Sequence, residues 1–178
     1  MMFRNLRANE IECRIGTCNE KGVSLLLYKD ARCDMRILDE TVGAFGWQCK
    51  YSEHKGTLFC SVGLAEKTEA GKVWHWKEDA GAPSNMEAQK GEASDAFKRA
   101  CFRWGIGREL YTTPFIWVNA SNCTIKQGRN GKLQCFDRFE VEAIKVDQGR
   151  IVGLCIRNAK TRQRVFTYCE PGYEKGKQ

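Results

Sequence analysis

Lys90-Gly91-Glu92-Ala93-Ser94-Asp95-Ala96-Phe97-Lys98-Arg99-Ala100-Cys101-Phe102-Arg103-Trp104 reads as an amphipathic helix, stopped by Gly105-Ile106-Gly107. At about 100° of rotation per residue, Ala93, Ala96, Phe97, Ala100, Cys101 and Trp104 fall on one side. Asp95, Lys98, Arg99, Phe102 and Arg103 fall on the other. An apolar side of this kind must be buried against another element. The periodic stretch covers Ala93 to Trp104, with Ser84 and Glu87 as a capping box upstream and Gly91 as a point of interruption in the early turns.

The segments before it supply strands. Trp47 to Glu53, Thr57 to Ala65 and Lys72 to Asp79 form a meander, turning at His54-Lys55-Gly56 and at Lys67 to Gly71. Leu58, Cys60, Val62 and Leu64 alternate with their neighbours, the mark of antiparallel strands solvated on one face. Further upstream, Asp30 caps a helix with an apolar stripe at Ala31, Met35, Leu38 and Val42, and Gly43 ends it. Glu10 to Arg14 and Val23 to Tyr28 read as two strands separated by Gly16 to Gly22. Beyond Pro114, Phe136 to Val146 turns at Asp147-Gln148-Gly149 into Arg150 to Arg157, and Arg164 to Tyr168 follows before a frayed tail from Glu170. The expected fold is α+β: an antiparallel β-sheet meander with a β-β-β-α core and two main helices laid on the sheet. Residues 1–13 are read as an N-terminal arm and first strand, and 14–113 as the core domain. Residues 114–178 are read as a strand hairpin region packed on that core or extending it.

The 178 residues suffice for one domain with a real core. Twenty-nine Lys and Arg against 22 Asp and Glu give a net charge of +7, which suits a polyanion such as nucleic acid or an anionic membrane surface. Arg4, Arg7, Glu10 and Glu12 leave no signal-peptide core, and apolar runs such as Leu25-Leu26-Leu27-Tyr28 are far short of a membrane span. The ten cysteines therefore read as free thiols in a reducing cytosol rather than as a secreted disulfide framework. There is no Walker-type phosphate loop, no Cys-x-x-Cys pair, and only two histidines, His54 and His75. His75, between Trp74 and Trp76, reads as a partly exposed strand residue. No clustered carboxylates and no nucleophile–base pairing can be placed. The chain reads as a binder without catalytic residue, cofactor or metal.

Two readings of the polar helix side stay open on the residues alone. Lys98, Arg99 and Arg103 either contact successive phosphates, releasing counterions, or form a solvated face. Phe102 among them either stacks on an unpaired base or packs against a neighbouring strand or subunit.

The run Lys90 to Ala100, continuing into Arg103-Trp104-Gly105-Ile106-Gly107, resembles the signature helix of the Rad fifty-two family of single-strand annealing proteins, most of all its small phage Sak-type members. A second block, Tyr28, the helix from Asp30 to Val42 and Gly43-Ala44-Phe45-Gly46-Trp47, is similar to the family's tyrosine, helix and Gly-Trp segment. The likeness covers roughly Arg14 to Tyr111. It implies a ring or helical homo-oligomer with a basic groove that holds one DNA strand, backbone inward and bases outward, and anneals it to a complement without ATP. By position, Lys98 and Arg99 match cations that contact the DNA backbone, Tyr28 matches a groove tyrosine, and Arg14 matches an arginine before it. Phe102 stands where better-studied members place a third arginine, and Arg103 follows one residue later.

The resemblance further implies a role in phage recombination in the bacterial host cytoplasm, with a phage exonuclease or single-strand-binding protein as partner and no membrane. Rival readings are a DNA-processing nuclease, a coat protein that protects DNA ends without annealing, and an RNA-binding module.

Overall fold

The computed structural model describes residues 2–82, 88–129 and 131–173. In chain order the elements begin with β1 (Glu12–Asn19), β2 (Gly22–Tyr28), α1 (Ala31–Val42), β3 (Trp47–His54), β4 (Thr57–Thr68), β5 (Gly71–Ala80) and α2 (Ala88–Trp104). They continue with β6 (Ile116–Asn119), β7 (Ile125–Gln127), β8 (Leu133–Cys135), β9 (Phe139–Asp147), β10 (Arg150–Asn158) and β11 (Arg164–Cys169). The fold is α+β, with antiparallel sheets and two α-helices. The chain divides into two compact units, one of Met1–Arg4 and Asp30–Gly107, the other of Asn5–Lys29 and Arg108–Gln178.

The first unit holds the expected meander. β4 is central, paired with β3 from Trp47↔Leu64 to His54↔Thr57 and with β5 from Phe59↔Ala80 to Thr68↔Gly71. Cys60, Val62 and Leu64 are buried, as the alternation requires, and α2 lies on β4 and β5. Ala96, Phe97, Ala100 and Cys101 are buried on the helix, and the Phe97 ring is 5.9 Å from that of Trp47. α2 runs unbroken through Gly91, so the expected interruption is corrected. A helical glycine costs only about 1 kcal/mol relative to alanine, less than the buried side of this helix gains. The capping box of Ser84 and Glu87 lies outside the described residues.

α1 starts where expected, with Asp30 accepting from the Cys33 N–H at 2.7 Å, and ends at Gly43 with φ 75°. Its buried side is different: Cys33, Asp34, Ile37 and Leu38 are inside while Met35 is exposed. The stripe through Ala31 and Met35 is therefore rotated toward Cys33 and Ile37, an equally apolar pair one turn apart.

The second unit is built on a six-stranded sheet in the order β11-β10-β9-β1-β2-β6. This corrects the picture of a single sheet: the first hairpin belongs to a separate sheet that buries its apolar side within its own unit. Val23 and Leu25 pair with Val118 and Ile116 across β2 and β6, and all four are buried, as are Val141, Val152, Leu154 and Ile156. The first strand is also longer than expected. β1 continues through Gly16 to Asn19, with a bulge between Ile15 and Cys18, so the expected separation shrinks to a turn at Glu20 and Lys21. At the bulge the Thr17 N–H donates to Ser24 Oγ at 2.9 Å. A Cβ on Gly16 would meet that same oxygen at 2.9 Å, so the hairpin needs glycine there. The expected turn at Asp147-Gln148-Gly149 closes β9 on β10, with Gln148 and Gly149 both at positive φ.

Candidate nucleic-acid interface

In the first unit, α2 presents Arg99 and Arg103 one turn apart and exposed, while Lys98 and Phe102 are half-buried. The two arginines converge on Asp79 of β5. Arg103 Nε donates to Asp79 Oδ2 at 2.9 Å, and Arg99 Nη2 lies 3.4 Å from Oδ1. Only 13% of the Asp79 side chain is exposed. Burial alone would raise its carboxyl, but the Arg103 hydrogen bond, the Ala80 N–H and both guanidinium charges hold it below the ordinary carboxylate range. The carboxylate orients both forks and offsets part of their charge. Among the described residues, Lys98 has no ion-pair partner.

Two residues before Asp79, Lys77 closes the end of α2. Its Nζ donates to the Arg103 carbonyl at 3.1 Å and sits 4.4 Å above the Trp104 ring, whose Nε1 donates to the Val62 carbonyl at 2.9 Å. A cation at a helix C-terminus is favourable for the helix dipole. Lys77 and Asp79 are absent from the sequence reading of the site. The period-two alternation of β5, which puts both on the helix side of the sheet, is the signal that could have found them.

Arg14 and Tyr28 lie in the second unit, on neighbouring strands of the six-stranded sheet. Glu12 is opposite Tyr28 and Arg14 is opposite Leu26, so all four share the outward side. Arg14 is exposed and makes no ion pair among the described residues. Tyr28 donates its hydroxyl to Glu12 Oε2 at 2.5 Å. That bond, followed by burial and the Glu12 charge, pushes the phenol above its usual value despite Arg14, so Tyr28 stays neutral. The fold thus brings together Arg99 with Arg103 in one unit and Arg14 with Tyr28 in the other.

Other residues flagged by the sequence are accounted for locally. His75 is exposed in β5 and its Nε2 is 2.7 Å from Glu66 Oε2. The ten cysteines are free, with Cys33, Cys60 and Cys101 buried. Among the described residues no group of three or more His, Cys, Asp or Glu is arranged to hold a metal ion, and no helix is long and apolar enough to cross a membrane. No curated protein and no solved structure gives a match to the chain. A family model described as Rad52/22 family double-strand break repair protein matches residues 2–129.

Proposed function

The chain belongs to the Rad52/22 family of double-strand break repair proteins, and on that premise we propose that it binds single-stranded DNA and anneals complementary strands, without ATP or a metal, as a homo-oligomeric ring or filament. In this reading residues 14–113 are the annealing core, with 114–178 packed on it or extending it. In the first unit Lys98, Arg99 and Arg103 hold phosphates with Phe102 in support; in the second Arg14 holds a phosphate with Tyr28 in support. Base pairing is itself downhill, so the protein's task is kinetic: it keeps a strand free of hairpins and offsets phosphate repulsion while the complement arrives. Repeating the contacts on many subunits raises affinity along one strand without new chemistry. The resemblance of the α2 run to phage members of the family favours a bacteriophage origin. Such an origin puts the work in the bacterial host cytoplasm, beside an exonuclease that exposes single strands or a protein that coats them.

The observation that carries this reading is the exposed guanidinium pair on α2, Arg99 and Arg103, braced by a mostly buried carboxylate on the helix that carries the family resemblance. A fixed, exposed pair of forks at one-turn spacing suits successive phosphate oxygens. The test is the Lys98→Ala, Arg99→Ala double variant, titrated with labelled oligothymidylate over a range of salt. The log–log salt slope is expected to flatten by about 0.7 per lost phosphate contact, and annealing of complementary oligonucleotides to slow in parallel, with the strands recovered intact in magnesium. A folded double variant that binds and anneals like the parent refutes the assignment, and cleavage of the strands refutes the function.

A further inference from the structure

The second unit treats its cations in two ways. On the later strands arginines are neutralised in place: Arg157 and Arg162 by Glu140, Arg164 by Glu142 and Arg150 by Glu170. The β7–β8 hairpin is the opposite case. Residues 120–138 carry four cations, Lys126, Arg129, Lys132 and Arg138, against the single acid Asp137, in a chain whose whole surplus is +7. The Asp137 carboxylate accepts from the Thr124 N–H at 2.5 Å, at the base of the hairpin. Lys126, Arg129 and Lys132 are all exposed, and the first two make no ion pair among the described residues.

The hairpin gives these cations a firm support. Ile125, Leu133 and Cys135 form its half-buried side, and β8 packs against β1. Lys126 pairs with Gln134 on the other, exposed side. The far end is closed by the Gly128 N–H donating to the Lys132 carbonyl at 2.8 Å and by Gln127 Nε2 donating to the Gly131 carbonyl at 3.0 Å. Cations therefore stand along both strands, Lys126 on β7 and Lys132 leading into β8, with Arg129 in the turn between them. Phe136, 61% exposed, lies at the base beside Thr124, so the charge is carried ahead of the ring.

We propose that the β7–β8 hairpin is a duplex-DNA-binding arm, with Lys126, Arg129 and Lys132 on phosphates along a groove. It goes beyond the single-strand reading above: that site keeps a strand open before pairing, and this arm holds the double helix that pairing makes. Shape chooses the duplex. A two-stranded β-ribbon fits a major groove about 12 Å wide, with phosphates along both walls. Cations on both strands of the ribbon face both walls at once. A lone strand offers one line of phosphates, and holding it calls for rings interleaved with the cations. Between Ile125 and Cys135 there is no aromatic residue. Contacts to phosphates carry no sequence information, so the arm takes any duplex.

The test titrates a short labelled duplex and labelled oligothymidylate with the intact chain and its variants over a range of salt. The Lys126→Gln, Arg129→Gln double variant is expected to bind the duplex on the order of tenfold more weakly, with a log–log salt slope flatter by about 0.9 per lost contact. Its oligothymidylate binding should match the parent's. Lys145→Gln with Lys160→Gln removes the same charge elsewhere in the unit and should leave duplex affinity unchanged. Lys126→Arg with Arg129→Lys keeps the charge and should bind like the parent, and unchanged thermal melts serve as the folding control. Duplex affinity kept by the Gln double variant overturns the arm. An equal loss on oligothymidylate overturns it too, as does an equal loss in the Lys145, Lys160 control, which would make net charge the cause. A parent that binds single strands but no duplex also sinks it. A parent that binds duplex through the hairpin but no single strand keeps the arm and fails the reading above, so the two failures are distinct.

Discussion

Asp79 braces the candidate interface, since one mostly buried carboxylate contacts two exposed guanidiniums. Its carboxyl is held below the unfolded value of about 3.9, so the stabilisation it contributes is complete above about pH 4 and is lost as pH falls through the folded value. Asp79→Asn is expected to cost about 1 kcal/mol near neutrality, a modest figure because both partners are half in solvent. The deficit should shrink to nothing in acid. Urea melts across the pH range measure this, and a deficit that does not shrink at all as pH falls below about 4 would remove the ionised carboxylate from the explanation. At this scale the sequence was a good guide to the cations and a poor one to what holds them. Helical rotation alone put Lys98, Arg99 and Arg103 on one side, whereas Asp79 lies 20 and 24 residues before its partners and meets them only once α2 lies on β5. Phe102, read as outward, is half-buried.

Helix α2 stays on its sheet through its buried side. Phe97 is 1% exposed and touches Trp47, so Phe97→Ala is expected to destabilise the chain by about 3–5 kcal/mol. The loss would be read as a lower urea midpoint together with altered tryptophan fluorescence; a loss below about 1 kcal/mol would mean that the site collapses without a cavity. Both helices and all three strands of the meander were legible, since each carries its own period and its own stop signals. Local pattern failed where a residue had two readings. Gly16 looked like a loop opener but sits in a bulge inside β1, where the nearby Ser24 side chain leaves no room for a Cβ. Met35 looked like core, but Cys33 and Ile37 offered a competing stripe on the same helix. The short β6 has two inward residues, Ile116 and Val118, too few to show a period.

On the scale of the whole chain, the second unit is discontinuous: its first hairpin and its later strands are separated by the whole of residues 30–107. The sequence carried no sign of this partnership. β1 meets β9 at Glu12↔Glu140, a pairing of two acids with no compositional signature, and such distant contacts leave no local trace. The family match ends at residue 129, before β9, β10 and β11. Truncation after Arg129 is therefore expected to strip hydrogen-exchange protection from β1 and β2 while leaving α2 and β4 protected. Persistent protection of β1 and β2 would show that the matched region is self-sufficient. The same division sets an order of events during translation. The ribosome delivers β1 and β2 well before β6 and β9 to β11, so this hairpin leaves the exit tunnel with Val23 and Leu25 bare and waits for partners still to be synthesised. Residues 30–107 can mature meanwhile, which makes the nascent hairpin the stretch of this chain most in need of a chaperone.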